Sequence, residues 1–375
     1  MDLEKKIIVF AKLGEILREA GGGKQKPELT EAIKQAHKHN GWFTEENILL
    51  AVSSLGEMLR EEKIRKWLSK YKVQSTKYKA TAEKLKSIGV IMAGNIPLVG
   101  FHDFMSVLMS GNIFVGKLAS DDKILLPAVA EILMKIEPEF KNLIHFLKVQ
   151  GSMFRVTDST NKKRTLNSEP ATAVDAFIAT GSNNSARYFE YYFGKYPHII
   201  RRNRNAVAIL DGKETEEDLQ NLGKDIFQYF GMGCRNVSKI YIPKDYNLDK
   251  FFAAIVDFGD VINHNKYYNN HQYYRTIYLL NKEKFLDNNF LMLKESEQIP
   301  SPVATLYYER YSTIDSLMKK LELEKESIQC IVTSSPALLL KEKGVSCVRF
   351  GQTQNPELWD YADGVDTMEF LLSLK

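Results

Sequence analysis

From Ile88 onward, short apolar runs alternate with amphipathic ones, and few architectures accept that pattern. IGVIMAG, NIFVGKL, LIHFLKV, DAFIATGS and NAVAILDG read as strands, rich in β-branched and aromatic residues. Between them, FHDFMSVLMSG, DKILLPAVAEILMKI and NSARYFEYYFG read as helices. Strands this apolar must be covered on both faces. The alternation therefore implies an α/β fold, with a mostly parallel sheet between helical layers. A second α/β run begins near Thr215 and continues through SKIYIP, PVATLYYE, a helix near Ser312, IQCIVTS and VSCVRFG.

A chain of 375 residues is long for one domain. Its texture divides into a helical region, 1–85, packed on a first α/β domain, 86–212. A second α/β domain, 213–345, and a C-terminal segment, 346–375, follow. The N-terminus places Leu3, Ile7, Phe10, Leu13 and Leu17 on one face of an amphipathic helix, unlike a signal peptide. Gly21-Gly22-Gly23 then breaks it. The chain shows no apolar run long enough to cross a bilayer. The net charge of +4 comes without a basic stripe interleaved with aromatics, so no nucleic-acid partner is expected.

The cysteines, Cys234, Cys330 and Cys347, are too few and too scattered for a disulfide framework or a zinc site. A reduced, cytoplasmic setting without a metal is expected. Cys330 and Cys347 sit in the strand-like runs IQCIVTS and VSCVRF and read as packing residues. Cys234 differs. It lies in Phe230-Gly231-Met232-Gly233-Cys234-Arg235-Asn236, between a helix over Glu216–Phe230 and a strand over Ser238–Pro243. The glycines clear the approach to the sulfur, and the adjacent Arg235 favours thiolate over thiol. A turn exposes a nucleophile; a small buried hydrophobe is the alternative.

Gly111-Asn112-Ile113-Phe114-Val115-Gly116-Lys117-Leu118 nearly spells a P-loop, but Leu118 stands where a hydroxyl must hold magnesium. Ile113–Val115 also suits a strand better than a phosphate-wrapping loop. Thr180-Gly181-Ser182 closes a strand and opens a helix, so its free N–H groups could face an anion. A simple helix cap explains the same residues.

Taken in order, these segments resemble the aldehyde dehydrogenase superfamily, and within it the LuxC-like long-chain acyl-CoA reductases, from about Ile88 to the C-terminus. Met92-Ala93-Gly94-Asn95-Ile96-Pro97 is similar to the segment whose asparagine amide helps form the oxyanion hole, which gives Asn95 that part. Phe114-Val115-Gly116-Lys117 is similar to the strand end whose lysine binds the adenosine ribose. Ala179-Thr180-Gly181-Ser182 is similar to the turn at the cofactor phosphates, and GMGCRNVSKIYIP to the catalytic cysteine segment. The C-terminal FGQTQNPELWDYADGVDTMEFL also resembles the LuxC-like group. The resemblance implies an aldehyde dehydrogenase-like fold, with a Rossmann-type cofactor domain, a catalytic α/β domain carrying Cys234, and N-terminal helices. It implies reduction of a fatty acyl-CoA or acyl-carrier thioester to the fatty aldehyde. An acyl-protein synthetase acting as acyl donor would make that protein a partner, and a homo-oligomer is a further option.

Two departures from the wider superfamily refine this expectation. Oxidising relatives carry a glutamate base where this chain has Arg201-Arg202-Asn203-Arg204-Asn205-Ala206-Val207, so deacylation by water should be slow. That basic run reads either as a solvated loop or as a contact for a CoA or carrier phosphate. NAD-preferring relatives place a glutamate three residues after the ribose lysine, where this chain has Ser120. NADPH is therefore the expected cofactor, with neighbouring Asp121 opposing it. An aldehyde dehydrogenase, an acyl-phosphate reductase and a non-catalytic scaffold of the same fold are the rival readings.

His264 and His271 fall in VINHNKYYNNHQYYR, read as a loop in which they make ordinary polar contacts. Glu297-Gln298-Ile299-Pro300-Ser301-Pro302 stands where relatives bind the nicotinamide ribose, but its residues do not match and none is assigned. Tyr78–Ser87 leaves little room for the hairpin through which superfamily members dimerise.

Overall fold

The computed structural model describes residues 1–24, 26–71, 85–147, 154–156, 172–334 and 345–374. They fall into two compact units, one of residues 1–202 with 357–361 and 365–375, the other of residues 203–356 with 362–364. Most of the Tyr78–Ser87 stretch lies outside the described residues.

In the first unit, helices α1 (Leu3–Gly21), α2 (Pro27–His39), α3 (Glu45–Met58) and α4 (Glu61–Ser69) precede the sheet. The sheet strands are β1 (Ser87–Ile91), β2 (Ile113–Lys117), β3 (Ile144–Phe146), β6 (Ala176–Thr180) and β7 (His198–Arg201). They run parallel in the order β3-β2-β1-β6-β7. Strands β4 (Phe154–Val156) and β5 (Thr172–Val174) pair separately. Helices α5 (Phe101–Met109), α6 (Leu125–Ile136) and α7 (Asn183–Phe193) make the crossovers. Ile113–Lys117 is a strand, as the rejection of the P-loop reading requires.

The N-terminal helices share one core with this sheet. Phe10, Leu13, Leu17, Val52 and Trp67 join Ile88, Val90, Phe104, Phe114 and Leu133 in a single buried cluster. Leu358, Tyr361, Met368 and Leu371 complete it from the C-terminal end, where helix α12 (Thr367–Ser373) lies. Polar contacts fix that return: Trp67 Nε1 donates to the Tyr361 hydroxyl at 2.5 Å, and Lys63 pairs with Glu357 at 2.9 Å.

The second unit carries strands β8 (Asn205–Ile209), β9 (Val237–Pro243), β10 (Leu286–Asp287), β11 (Met292–Glu295), β12 (Thr305–Tyr311), β13 (Ile328–Thr333) and β14 (Ser346–Val348). Their order is β10-β11-β12-β9-β8-β13-β14, parallel except for β10 against β11. Alternate residues of β8 feed opposite faces: Ala206 and Ala208 enter one core cluster, Val207 and Ile209 another. Helices α8 (Glu216–Phe227), α9 (Leu248–Ala254), α10 (Asn265–Leu280) and α11 (Ile314–Glu324) belong to this unit.

Two readings of the sequence need correction. The basic run at Arg201 is not a solvated loop throughout, because Arg201 ends strand β7 and is buried. Its guanidinium donates to both Asp103 oxygens, at 2.5 and 2.9 Å, and to Thr367 Oγ1 at 2.8 Å. Arg204 pairs with Asp363 and Glu326, each at 3.3 Å, whereas Arg202 is exposed and meets Glu190 at 2.6 Å. The His264–Arg275 stretch, read as a loop, is mostly helix α10. Only Tyr267, His271 and Tyr278 are buried along it, a sparse stripe that gives little amphipathic signal.

Candidate functional site

In the first unit the candidate residues gather beyond the carboxyl ends of adjacent parallel strands. Ile91 pairs with Lys117 on one side and with Ala179 on the other, so β1, β2 and β6 end level. Beyond β1 comes the turn holding Asn95; beyond β2, the turn holding Ser120; beyond β6, Gly181 and Ser182. The chain moves outward through β2 and β3 on one side of β1 and returns through β6 and β7 on the other. A strand-order reversal of this kind opens a crevice at the carboxyl edge, the usual ligand position in open α/β sheets.

Asn95, Ser120 and Ser182 are exposed at this edge, and Lys117 and Gly181 are half-buried. Ser182 caps α7, its Oγ accepting the Ser185 N–H at 3.2 Å. The two turns beyond β1 and β2 are clasped. A Cβ on Gly94 would lie 2.6 Å from the Ala119 Cβ, so only glycine allows that approach. The Leu98 N–H donates to Asp122 Oδ2 at 2.8 Å, in a backbone with φ of 59°. Burial pushes the Asp122 carboxyl up to about 6, against the Leu98 and Leu125 N–H groups that favour its charge. From α2, His39 Nε2 donates to the Ser120 carbonyl at 2.6 Å; Asn40 Nδ2, just beyond, donates to that of Asp121 at 3.3 Å.

In the second unit, α8 ends at Phe227, short of the expected Phe230. Tyr229, Phe230 and Gly231 follow with φ of 52°, 58° and 75°, a left-handed run that turns the chain towards β9. Such a conformation costs a side-chain-bearing residue about 1–2 kcal/mol, so the surroundings must impose it. Asn236 does much of this. It is buried, its Oδ1 accepts the Gly233 N–H at 2.8 Å, and its own N–H closes the turn onto the Gly233 carbonyl at 3.0 Å. Its Nδ2 donates to the Asp225, Ile226 and Gln228 carbonyls at 3.0, 3.4 and 2.8 Å.

Cys234 sits inside this fixed turn, half-buried and not in a disulfide. Cys330 is fully buried in β13, and burial pushes its thiol up to about 12. Cys347 lies in β14 and leans its sulfur on the Val345 carbonyl at 3.8 Å. Arg235, expected to act beside the Cys234 sulfur, is buried, and its charge acts on Cys330, where it opposes the larger effect of burial.

Around the turn, the Phe230 ring lies 4.3 Å from that of His264, which caps α10. His271 instead clasps Asp287 at 3.0 Å, with Arg275 at 2.9 Å on the other oxygen. The stretch at Glu297 is anchored by neighbours of the cysteine turn. Ser238 Oγ donates to the Ile299 carbonyl and Lys239 Nζ to the Glu297 carbonyl, both at 2.8 Å.

Sequence reasoning missed Asp122, Asp225 and Asn236. Asp225 did leave a signal, a carboxylate among the core-facing Leu222 and Ile226 of α8. Nothing marked Asp122 apart from the exposed Asp121 beside it. Among the described residues, no group of three or more His, Cys, Asp or Glu is placed to hold a metal ion, and no helix is long and apolar enough to cross a membrane.

The family model described as acyl-CoA reductase (LuxC) matches residues 23–255, more than half of the chain. No curated protein matches in sequence. Among solved structures, the chain is similar to aldehyde dehydrogenase 21 from Physcomitrella patens in complex with the reaction product succinate. That match has a TM-score of 0.68 at 14% identity and covers 99% of this chain and 84% of the other. The P. syringae indole-3-acetaldehyde dehydrogenase with NAD+ gives 0.62 at 10% identity, covering 93% and 76%. An aldehyde dehydrogenase from Bacillus cereus in complex with NAD+ gives 0.59 at 10% identity, covering 93% and 76%. The fold is aldehyde dehydrogenase-like.

Proposed function

The chain belongs to the LuxC acyl-CoA reductase family, oxidoreductases acting on acyl or aldehyde groups, and on that premise we propose that it reduces a fatty acyl thioester to the aldehyde with NADPH. The observation that carries this reading is Cys234, half-buried in a hydrogen-bonded turn, while Cys330 is sealed in the core.

The Cys234 thiolate attacks the thioester carbonyl. Its sulfur bonds to the acyl carbon, and the CoA or carrier thiol departs and takes up a proton. The Cys234 N–H would donate to the tetrahedral oxyanion, and the family resemblance assigns the Asn95 amide as the second donor. Lys117 would hold the adenosine ribose of the cofactor, and the turn at Gly181 and Ser182 would lie at its phosphates with the Ser182 N–H as donor, since the Gly181 N–H is taken by the Arg201 carbonyl at 3.3 Å. The level strand ends at Lys117 and Ala179 and the exposure of Ser120 and Ser182 support that fit. Ser120 leaves room for a 2′-phosphate, with the Asp121 carboxylate 3.5 Å from its hydroxyl as the opposing charge. When bound, the reduced nicotinamide supplies a hydride to the acyl carbon. The carbon–sulfur bond then breaks, aldehyde leaves, and Cys234 is again a thiolate.

Arg201–Val207, which stands where oxidising relatives carry a base, holds no carboxylate, and Arg201 is occupied by Asp103. That segment therefore offers water no base for deacylation, which supports reduction over oxidation. The test is NADPH consumption against a ladder of acyl-CoA chain lengths, with the aldehyde identified. Mass spectrometry without cofactor should find an acyl adduct on Cys234. An adduct on Cys330 or Cys347 would remove the assignment.

A further inference from the structure

Asp225 is a carboxylate with 1% of its surface exposed, on the core-facing side of α8. A charge so placed is costly unless donors surround it. Here the donors come from the C-terminal part of the chain. Gly351 N–H reaches Oδ2 at 2.6 Å, and the Thr353 N–H and hydroxyl reach Oδ1 at 3.0 and 2.8 Å. Burial pushes the carboxyl up to about 6, opposed by these hydrogen bonds.

The backbone carbonyl of the same residue accepts from Asn236 Nδ2 at 3.0 Å. Asn236 in turn holds both the N–H and the carbonyl of Gly233, the residue before the cysteine. Side chain and backbone of Asp225 thus face different partners: the 351–353 segment on one side, the Cys234 turn on the other. An apolar residue would serve the packing of α8 equally well, but it would leave the Gly351 and Thr353 donors buried without an acceptor.

We propose that Asp225 is a positioning residue, locking the end of α8 to residues 351–353 so that Asn236 holds the Cys234 sulfur and N–H in their reactive geometry. The inference rests on the reading of Cys234 as the nucleophile. Misplacement of a reacting group by about 1 Å can cost about a hundredfold in rate, so a loosened anchor should lower kcat more than binding.

The experiment compares Asp225→Asn, Thr353→Val and Thr353→Ser with the wild type. Asp225→Asn keeps the shape but loses one acceptor; Thr353→Val loses one hydroxyl; Thr353→Ser retains it. In Asp225→Asn we expect kcat to fall about ten- to a hundredfold with little change in KM for acyl-CoA or NADPH. Thr353→Val should show a smaller loss that Thr353→Ser restores. The second readout needs no turnover: the rate of iodoacetamide labelling at Cys234, with Cys347 as internal control and thermal unfolding recorded alongside. A several-fold change at Cys234 alone, in folded variants, supports the proposal. Unchanged labelling and kcat in the folded variants would overturn it. Should Asp225→Asn fail to fold, the Thr353 pair decides by the same criteria. If labelling shifts as expected but the wild type reduces no acyl-CoA, the positioning role stands and the functional reading falls.

Discussion

Asp122 accepts the Leu98 N–H at 2.8 Å, and that bond joins the turn carrying Asn95 to the turn carrying Ser120. The carboxylate is buried, and its pKa rises from the usual 3.8 to about 6. The sign follows from linkage. A group whose folded pKa exceeds its unfolded value contributes stability at acid pH that is lost as pH rises through the folded pKa. A shift of this size corresponds to about 3 kcal/mol, lost between roughly pH 4 and pH 6. Asp122→Asn should flatten that part of the stability profile. Urea unfolding of both proteins at several pH values across the window would show it. Parallel profiles would mean that Asp122 ionises as easily in the fold as in the unfolded chain.

Arg201 and Asp103 form a buried ion pair, with side-chain exposures of 5% and 11%. Removing one partner strands the other charge, at a typical cost of about 3–5 kcal/mol. Arg201→Ala and Asp103→Ala should each destabilise by that order in denaturant unfolding. Arg201→Met with Asp103→Leu should recover most of the loss, since neither charge then remains buried. A single-variant loss under about 1 kcal/mol would show that water reaches the pair.

The sequence displayed the two sheets because their strands are buried on both faces and read as apolar runs. Ile113–Lys117 and Ile328–Thr333 are examples. Strand β7 was missed because His198–Arg201 is short and ends in an arginine whose partner, Asp103, lies far away in sequence. Helix α10 was missed because Asn and Tyr are indifferent helix formers and its buried face is sparse. At the candidate site the exposed or half-exposed residues were legible as motifs. Asp122 and Asn236 were not, since their importance lies in what they hydrogen-bond, and spacing along the chain does not record that.

Asn95 lies exposed at the carboxyl edge of the first sheet, so its side chain contributes little to packing. If its amide donates to the oxyanion, Asn95→Ala should lower kcat by roughly a hundred- to a thousandfold with little change in unfolding temperature. Steady-state kinetics and a thermal melt on the same preparation are sufficient. Wild-type turnover in the variant would reduce Asn95 to a loop residue.

On the proposed function, the cofactor preference should turn on the segment after β2. Lys117 brings positive charge to the strand end, and Ser120, exposed and uncharged, stands where a glutamate would repel a 2′-phosphate. Asp121 opposes this, and its carboxylate lies 3.5 Å from the Ser120 hydroxyl. On the proposed function, NADPH should be preferred over NADH by about tenfold or more in kcat/KM, equivalent to roughly 1.4 kcal/mol. The Ser120 and Asp121 carbonyls are held by His39 and Asn40, so a substitution at position 120 should change charge without moving the backbone. Ser120→Glu should therefore reduce or reverse the preference, and Asp121→Asn should strengthen it. Measuring kcat/KM for both cofactors in the three proteins decides the matter. Equal use by the wild type, or indifference to both substitutions, would mean that the ribose is recognised elsewhere.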